Sequence, residues 1–240
     1  MSAPGDEDRA CPVPELTPDV YARWRATELG RLTEDLERGL ILELAGDVTG
    51  KNVLEIGCGD GDLAVELAKR RAQVSAIDGS AAMIEAARRR ISAERVEVDL
   101  AVADAEALPF PEERFDLVVA VTILCFVRDA RPVFREIARV LRPGGRLVIG
   151  ELGAWSSWAA ERRVRAWLGS AMWQKGVFRT PSELRGLATG AGLTVERLES
   201  GVYYPRWTPA ARLMAPLDRR ISRVTHIGAA FLAISVRKPA

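Results

Sequence analysis

Apolar residues recur at three- and four-residue steps from Leu29 through Leu32, Leu36, Leu40 and Ile41 to Leu44. That period marks a helix with one apolar face. Gly46 and Gly50 end it, and Tyr21 and Trp24 precede it. Short apolar runs then take over at 52–56, 73–77, 96–103, 115–121 and 146–151, and they read as strands. The run at 115–121 is almost continuous, as in a strand buried on both faces of a parallel sheet. Helical patterns separate the runs at 62–71, 82–87 and 130–141. Pro143, Gly144 and Gly145 stop the last of these, because proline cannot continue a helix and glycine permits the reversal. Thr180 and Pro181 open another helix, which ends near Gly190. Strands at 193–198 and 229–236 close the chain; in the last, Phe231, Ala233 and Ser235 alternate with Leu232, Ile234 and Val236. Strands alternating with helices predict an α/β fold.

The first strand leads into Gly57, Gly59 and Gly61, and a helical pattern begins at Asp62. Strand, glycine turn and helix form the layout of a nucleotide-binding unit. Residues without Cβ let the chain turn sharply and let a ligand lie against backbone. The spacing is acid-x-G-x-G-x-G from Glu55, and Asp rather than Gly occupies position 62. A dinucleotide site would read G-x-G-x-x-G, so a nicotinamide-dependent oxidoreductase is disfavoured. Asp78 ends the second strand, 21 residues after Gly57. That offset puts a carboxylate beside the ribose of a ligand lying on the glycines. Its alternative is a helix cap, a role for which Ser80 competes.

At these residues the chain resembles the class I S-adenosylmethionine-dependent methyltransferases. Asp104-Ala105 followed by Leu108-Pro109-Phe110, and Arg142-Pro143-Gly144-Gly145 before a strand, are further points of likeness. The likeness is close over residues 50 to 152 and nearest the ubiquinone/menaquinone-pathway branch. It implies a Rossmann-like, mostly parallel seven-stranded sheet of order 3-2-1-4-5-7-6, its last strand antiparallel. It implies S-adenosyl-L-methionine as cofactor and S-adenosyl-L-homocysteine as product. The implied cofactor site draws on Tyr21, Glu55, Gly57, Cys58, Gly59, Gly61, Asp78, Gly79, Met83, Asp104, Ala105 and Val121. Asp78 would take the ribose, Asp104 the adenine amino group, and the Ala105 N–H a ring nitrogen. Tyr21 and Trp24 read equally as aromatic anchors of their helix. One departure stands after the fourth strand. A histidine or polar pair is common there in that branch, and this chain has Thr122-Ile123-Leu124-Cys125-Phe126. Cys125 reads as a small buried hydrophobe rather than a redox thiol.

The remaining segments bear on the acceptor. Trp155, Trp158, Trp167 and Trp173 fall in one stretch with Arg162, Arg163 and Arg165. We read 154–179 as a lid or, equally, as a tryptophan-rich packing helix. A second insertion, 203–228, holds Tyr203, Tyr204, Trp207 and a basic run from Arg212 to Arg223. Residues 15–48 would cover the site from the other side, so 15–240 form one domain after a frayed 1–14. The expected reaction moves a methyl group to a small, largely apolar molecule. The alternative is an inactive cofactor-binding regulatory protein. His226, the only histidine, is the candidate base, with a structural role as its competitor.

Composition narrows the rest. A net charge of +1, and no Asn-Pro-Pro-Tyr-type motif after the fourth strand, speak against a nucleic-acid substrate. Three cysteines without C-x-x-C spacing and a single histidine give no disulfide framework or metal site. No run approaches the ~20 apolar residues of a membrane span. The expectation is a cytoplasmic monomer or homodimer. Acidic residues dominate before position 50 and basic ones after 160, which leaves peripheral membrane contact open.

Overall fold

The apolar runs pair into a single seven-stranded sheet. The computed structural model describes residues 17–240; the stretch 1–14 expected to fray, and Cys11 in it, lie outside the described residues. Two helices, α1 (Pro18–Ala26) and α2 (Glu28–Ala45), come first. Then follow β1 (Asn52–Ile56), α3 (Asp62–Lys69), β2 (Gln73–Asp78), α4 (Ala81–Glu94), β3 (Val98–Val102) and β4 (Phe115–Val121). After β4 come α5 (Arg131–Val140), β5 (Leu141–Leu152), α6 (Ser157–Trp167), α7 (Ala171–Gln174) and α8 (Pro181–Gly190). The chain ends with β6 (Thr194–Gly201), α9 (Thr208–Met214), α10 (Asp218–Ser222) and β7 (Phe231–Arg237). The strand order is β3-β2-β1-β4-β5-β7-β6. Strands β1 to β5 pair in parallel, and β7 runs antiparallel to β5 and β6. This is the expected fold, including its reversed last strand.

Two boundaries differ from the sequence reading. The N-terminal pattern is two helices, because the Thr27 hydroxyl accepts from the Gly30 N–H and so starts a new helix. The fifth strand begins before its apolar run: Leu141 already pairs with Phe115, and the register shifts before Leu117 meets Arg146. The Arg-Pro-Gly-Gly turn is therefore an irregularity within β5.

Apolar side chains fill both faces of the sheet. Val133, Phe134 and Ile137 of α5, with Leu184 and Ala188 of α8, cover one face. Ile41 and Leu44 of α2, Leu67 of α3, Trp158 of α6 and Tyr204 cover the other. Burying each such aliphatic side chain stabilises the fold by roughly 1.5–3 kcal/mol. The direction of α2 sets up the site. Arg146, in β5, donates to the Leu44 carbonyl at 3.3 Å. Further along β5, a Cβ on Gly150 would come within 2.9 Å of Ile41 Cδ1 and 2.3 Å of Phe231. Helix α2 thus runs antiparallel to β5. Glu37, one turn before Ile41 on the same helix face, lies towards the carboxyl ends of the strands. In open α/β sheets that edge is where ligands bind.

Candidate active site

The turn between β1 and α3 holds Gly57, Gly59 and Gly61 at φ of 73°, 54° and 80°. These left-handed values favour glycine. The surroundings of the three differ. A Cβ on Gly59 would meet nothing within 4 Å, so bare backbone faces open space there. A Cβ on Gly57 would press on the Ile123 side chain at 3.0 Å, which brings the segment after β4 directly onto the loop. A Cβ on Gly61 would lie 2.9 Å from Ala87 Cβ. Gly61 therefore serves the close packing of α3 on α4.

Carboxylates surround this loop. Asp78, at the end of β2, accepts from the Gly59 N–H at 2.9 Å and from the Ser80 N–H at 2.8 Å. Ser80 caps α4 by accepting from the Met83 N–H, so the cap role falls to the serine and Asp78 holds the loop. Burial raises the Asp78 pKa, against the lowering effect of those two N–H donors. Glu55 is buried, and its Oε2 has no hydrogen-bond partner. Burial and the neighbouring charges of Asp62, Asp78 and Asp60 push its pKa up to about 8.

An ionic clasp closes over the same loop. Arg25 of α1 donates to both oxygens of Asp60 at 2.8 Å and to Glu34 at 2.9 Å. Its guanidinium lies 4.3 Å from the ring centroid of Tyr21. Arg90 of α4 reaches the Asp60 carboxylate at 2.5 Å and its carbonyl at 3.0 Å. Asp62 pairs with Arg38 and Arg90. Sequence reasoning missed this clasp, since it joins residues 35 and 30 positions apart.

The other expected cofactor residues lie in the glycine loop, at or after the carboxyl ends of β2, β3 and β4, and on α1 and α4. Cys58 and Met83 are buried, and burial holds the Cys58 thiol well above its ordinary pKa. Gly79 is exposed, with open space where a Cβ would stand. Asp104 follows β3 and accepts from the Glu106 N–H at 2.9 Å, beside buried Ala105. Val121 ends β4 opposite Gly150. Tyr21 is walled in by protein, which raises its pKa far above the phenol range.

Comparison with known proteins bears on what this crevice binds. A methyltransferase-domain family model matches residues 54–149. The chain is 33% identical over 173 residues to a ubiquinone biosynthesis O-methyltransferase of Xanthomonas euvesicatoria, covering 70% of this chain and 72% of that protein. It is 36% identical over 219 residues to the 27-O-demethylrifamycin SV methyltransferase of Amycolatopsis mediterranei, covering 86% and 75%. A Thermotoga maritima crystal structure described as a SAM-dependent methyltransferase, possible histamine N-methyltransferase, superposes with TM-score 0.68 at 24% identity, covering 92% of this chain and 95% of that one, and shows the shared fold. The chain belongs to the class I S-adenosylmethionine-dependent methyltransferases. Its cofactor is S-adenosylmethionine, which carries a sulfonium and an ammonium.

The methyltransferase's own residues fit that charge. Glu55, Asp60, Asp62 and Asp78 gather at the loop, and the orphaned Glu55 oxygen lacks a donor. Across the crevice, beyond β5, the surroundings change. Trp158 of α6 is buried, donates to the Tyr204 carbonyl at 2.7 Å and packs edge-on against Trp24 at 5.9 Å. Arg162 and Arg206 stand 5.4 and 5.2 Å from its ring centroid. Trp173 is half-buried and stacks with Phe178. Trp155, Trp167 and Trp207 are exposed, so only part of the tryptophan-rich segment turns inward. Cys125 is fully buried and donates to the Thr122 carbonyl at 3.0 Å. The buried Glu151 accepts from the Leu124 N–H at 2.8 Å, which pins the turn after β4.

His226 is not brought to this crevice. Its Nδ1 is 2.7 Å from the Ser200 hydroxyl, which also bonds Tyr203. Ser200 lies in β6, the edge strand, three strands from β4. At about 4.8 Å per strand that is on the order of 14 Å.

Proposed function

We propose that the protein methylates an oxygen atom of a small, largely apolar acceptor. The observation that carries this reading is the apolar cluster beside the loop: Ile123 against Gly57, and the Trp24–Trp158 pair with Arg162 and Arg206 on the Trp158 ring. Both relatives named above are named for methylation at oxygen, which supports the same reading. When bound, the cofactor supplies a methyl on sulfur, and the carbon–sulfur bonding pair leaves with the sulfur. The protein's part is alignment and exclusion of water.

In this reading Asp78 accepts from the ribose hydroxyls, while it stays anchored by Gly59 and Ser80. Asp104 and the Ala105 N–H take the adenine edge. Glu55 offers its orphaned oxygen to the cationic end, and Gly57 and Gly59 give backbone contact. Tyr21, Cys58, Gly79, Met83 and Val121 complete the walls. Residues 154–179 and 203–228 form the acceptor-side cover, and 15–48 the cofactor-side cover.

The test is incubation with S-adenosylmethionine and a panel of phenols, alcohols, amines and thiols, with products read by mass spectrometry. Methyl groups on phenolic or alcoholic oxygen are expected. Transfer only to nitrogen or sulfur, or to none of the panel, would overturn the oxygen assignment.

A further inference from the structure

Arg162 is an expensive residue to place where it lies. Its Nε and Nη1 are sealed from solvent and have no hydrogen-bond partner. The guanidinium is held between two indoles, 5.4 Å from the Trp158 centroid and 4.7 Å from that of Trp173. A buried cation lacking partners costs several kcal/mol, and stacking on rings returns only ~2 kcal/mol or less. The fold holds it in place all the same. Trp158 and Arg162 are one turn apart on α6, and Trp158 is fixed by its bond to the Tyr204 carbonyl.

The carboxylate most strongly coupled to Arg162 is that of Glu37, on α2. The course of α2 along β5 puts Glu37 towards the carboxyl ends of the strands. Glu34 and Arg38, its neighbours, turn towards Arg25 and Asp62 on the cofactor side. Thr33, on the other flank, meets the Tyr204 hydroxyl at 3.1 Å. Glu37 therefore stands between the glycine loop and the Trp158 wall. Glu37 and Arg162 each keep part of their surface open although protein surrounds them.

We propose that Glu37 and Arg162 flank the acceptor hydroxyl, with Glu37 taking its proton and Arg162 holding the oxyanion that results. In that step the O–H bond breaks, the proton passes to a Glu37 carboxylate oxygen, and the electron pair stays on the acceptor oxygen beside the Arg162 N–H groups. The proposal rests on the oxygen-methylation reading and adds the residues that activate the oxygen. It assigns to this pair the role that His226, at the sheet edge, is not placed to fill. Burial raises the Glu37 pKa to about 8, against the attraction of Arg162 and with the repulsion of Glu34. A base that titrates near neutrality suits proton transfer. Burial lowers the Arg162 pKa to about 10, opposed by Glu37 and Cys125 and reinforced by Arg206. Tyr21 of α1 and Tyr204 after β6 also feel the Glu37 charge, and burial holds both phenols neutral through that range.

The test uses 4-nitrophenol, whose phenolate absorbs visible light, with the full chain saturated with S-adenosylhomocysteine. Bound probe should ionise at lower pH than free probe, by one pH unit or more. Arg162→Met keeps the unbranched stem and should abolish the shift, and Arg162→Lys should restore part of it. In turnover of a hydroxyl acceptor, Glu37→Gln should cut kcat by about a hundredfold and remove the limb of the pH profile near 8. Unaltered S-adenosylhomocysteine affinity in each variant shows that the fold is intact. The proposal is overturned if the probe fails to bind, if its ionisation is the same in wild type and Arg162→Met, or if Glu37→Gln leaves the pH profile unmoved. If wild type methylates only nitrogen or sulfur while the spectral shift holds, the oxygen reading falls and the oxyanion site stands.

Discussion

The two sides of the crevice treat their charged groups in opposite ways. On the cofactor side, Asp60 accepts from Arg25 and Arg90, Asp62 pairs with Arg38 and Arg90, and Asp78 is tied to two backbone N–H groups. Among the buried oxygens of the described residues there, Glu55 Oε2 lacks a donor. On the far side, Arg162, Arg179 and Arg206 all bury nitrogens without partners. A satisfied network holds its shape in the absence of ligand, whereas an unsatisfied one is stabilised by what enters it. The difference suits a protein that binds one cofactor with a fixed frame, and under the proposal above the Arg162 donors meet the acceptor.

The sharpest way to break the comparison is to remove the centre of the satisfied network. Asp60→Ala leaves Arg25 and Arg90 facing one another without their shared anion, and their side chains are only 19% and 33% exposed. Stability should fall by about 3 kcal/mol, measured by urea unfolding. A change under about 0.5 kcal/mol would mean that the clasp behaves as a surface ion pair.

Asp78→Ala acts on both the loop and the ligand. It should weaken S-adenosylhomocysteine binding by about 2 kcal/mol in calorimetry. An unchanged affinity would detach Asp78 from the cofactor.

Glu151 tests the far side through pH. Burial raises its pKa to about 7, against lowering by its N–H donors and Arg179. An acid whose folded pKa exceeds its unfolded value of about 4.3 binds its proton more tightly in the native state. Its stabilising contribution is complete below about pH 4 and declines as pH rises towards 7. Thermal unfolding should show a loss of several degrees across that window, and Glu151→Gln should flatten the curve. An equal slope in the variant would assign the loss to Glu55 and Glu37.

The smallest effect concerns Glu55. With its pKa near 8 it is largely protonated at pH 7, and a cation arriving beside it favours ionisation. Cofactor binding at pH 7 should release a fraction of a proton. Calorimetry in buffers of different ionisation enthalpy would show it, and Glu55→Gln should abolish it.

Legibility followed distance along the chain. The glycine loop, the Asp78 offset and the strand order could be read because each is a local pattern or follows from one. The spacing presents Gly61 as one more turn glycine, and its contact with Ala87 depends on how α3 meets α4. The Arg25–Asp60–Arg90 clasp and the proposed Glu37–Arg162 site are both tertiary. The second left a partial signal. Glu37 interrupts the apolar stripe that runs through Thr33, Leu40, Ile41 and Leu44, and a carboxylate on a core-facing stripe asks for a partner. Trp158 and Arg162 fall at i and i+4 on α6, where side chains meet. His226 drew attention by its rarity alone, and its hydroxyl partner Ser200 sits on the outermost strand.

The central claim is that the cofactor's nucleoside lies on the bare backbone at Gly57 and Gly59 with Asp78 on its sugar. A crystal structure with S-adenosylhomocysteine tests it most directly. The account predicts both ribose hydroxyls within hydrogen-bond distance of the Asp78 carboxylate while Gly59 and Ser80 still donate to it. A nucleoside seated elsewhere, or an Asp78 that contacts only those two backbone groups, would contradict it.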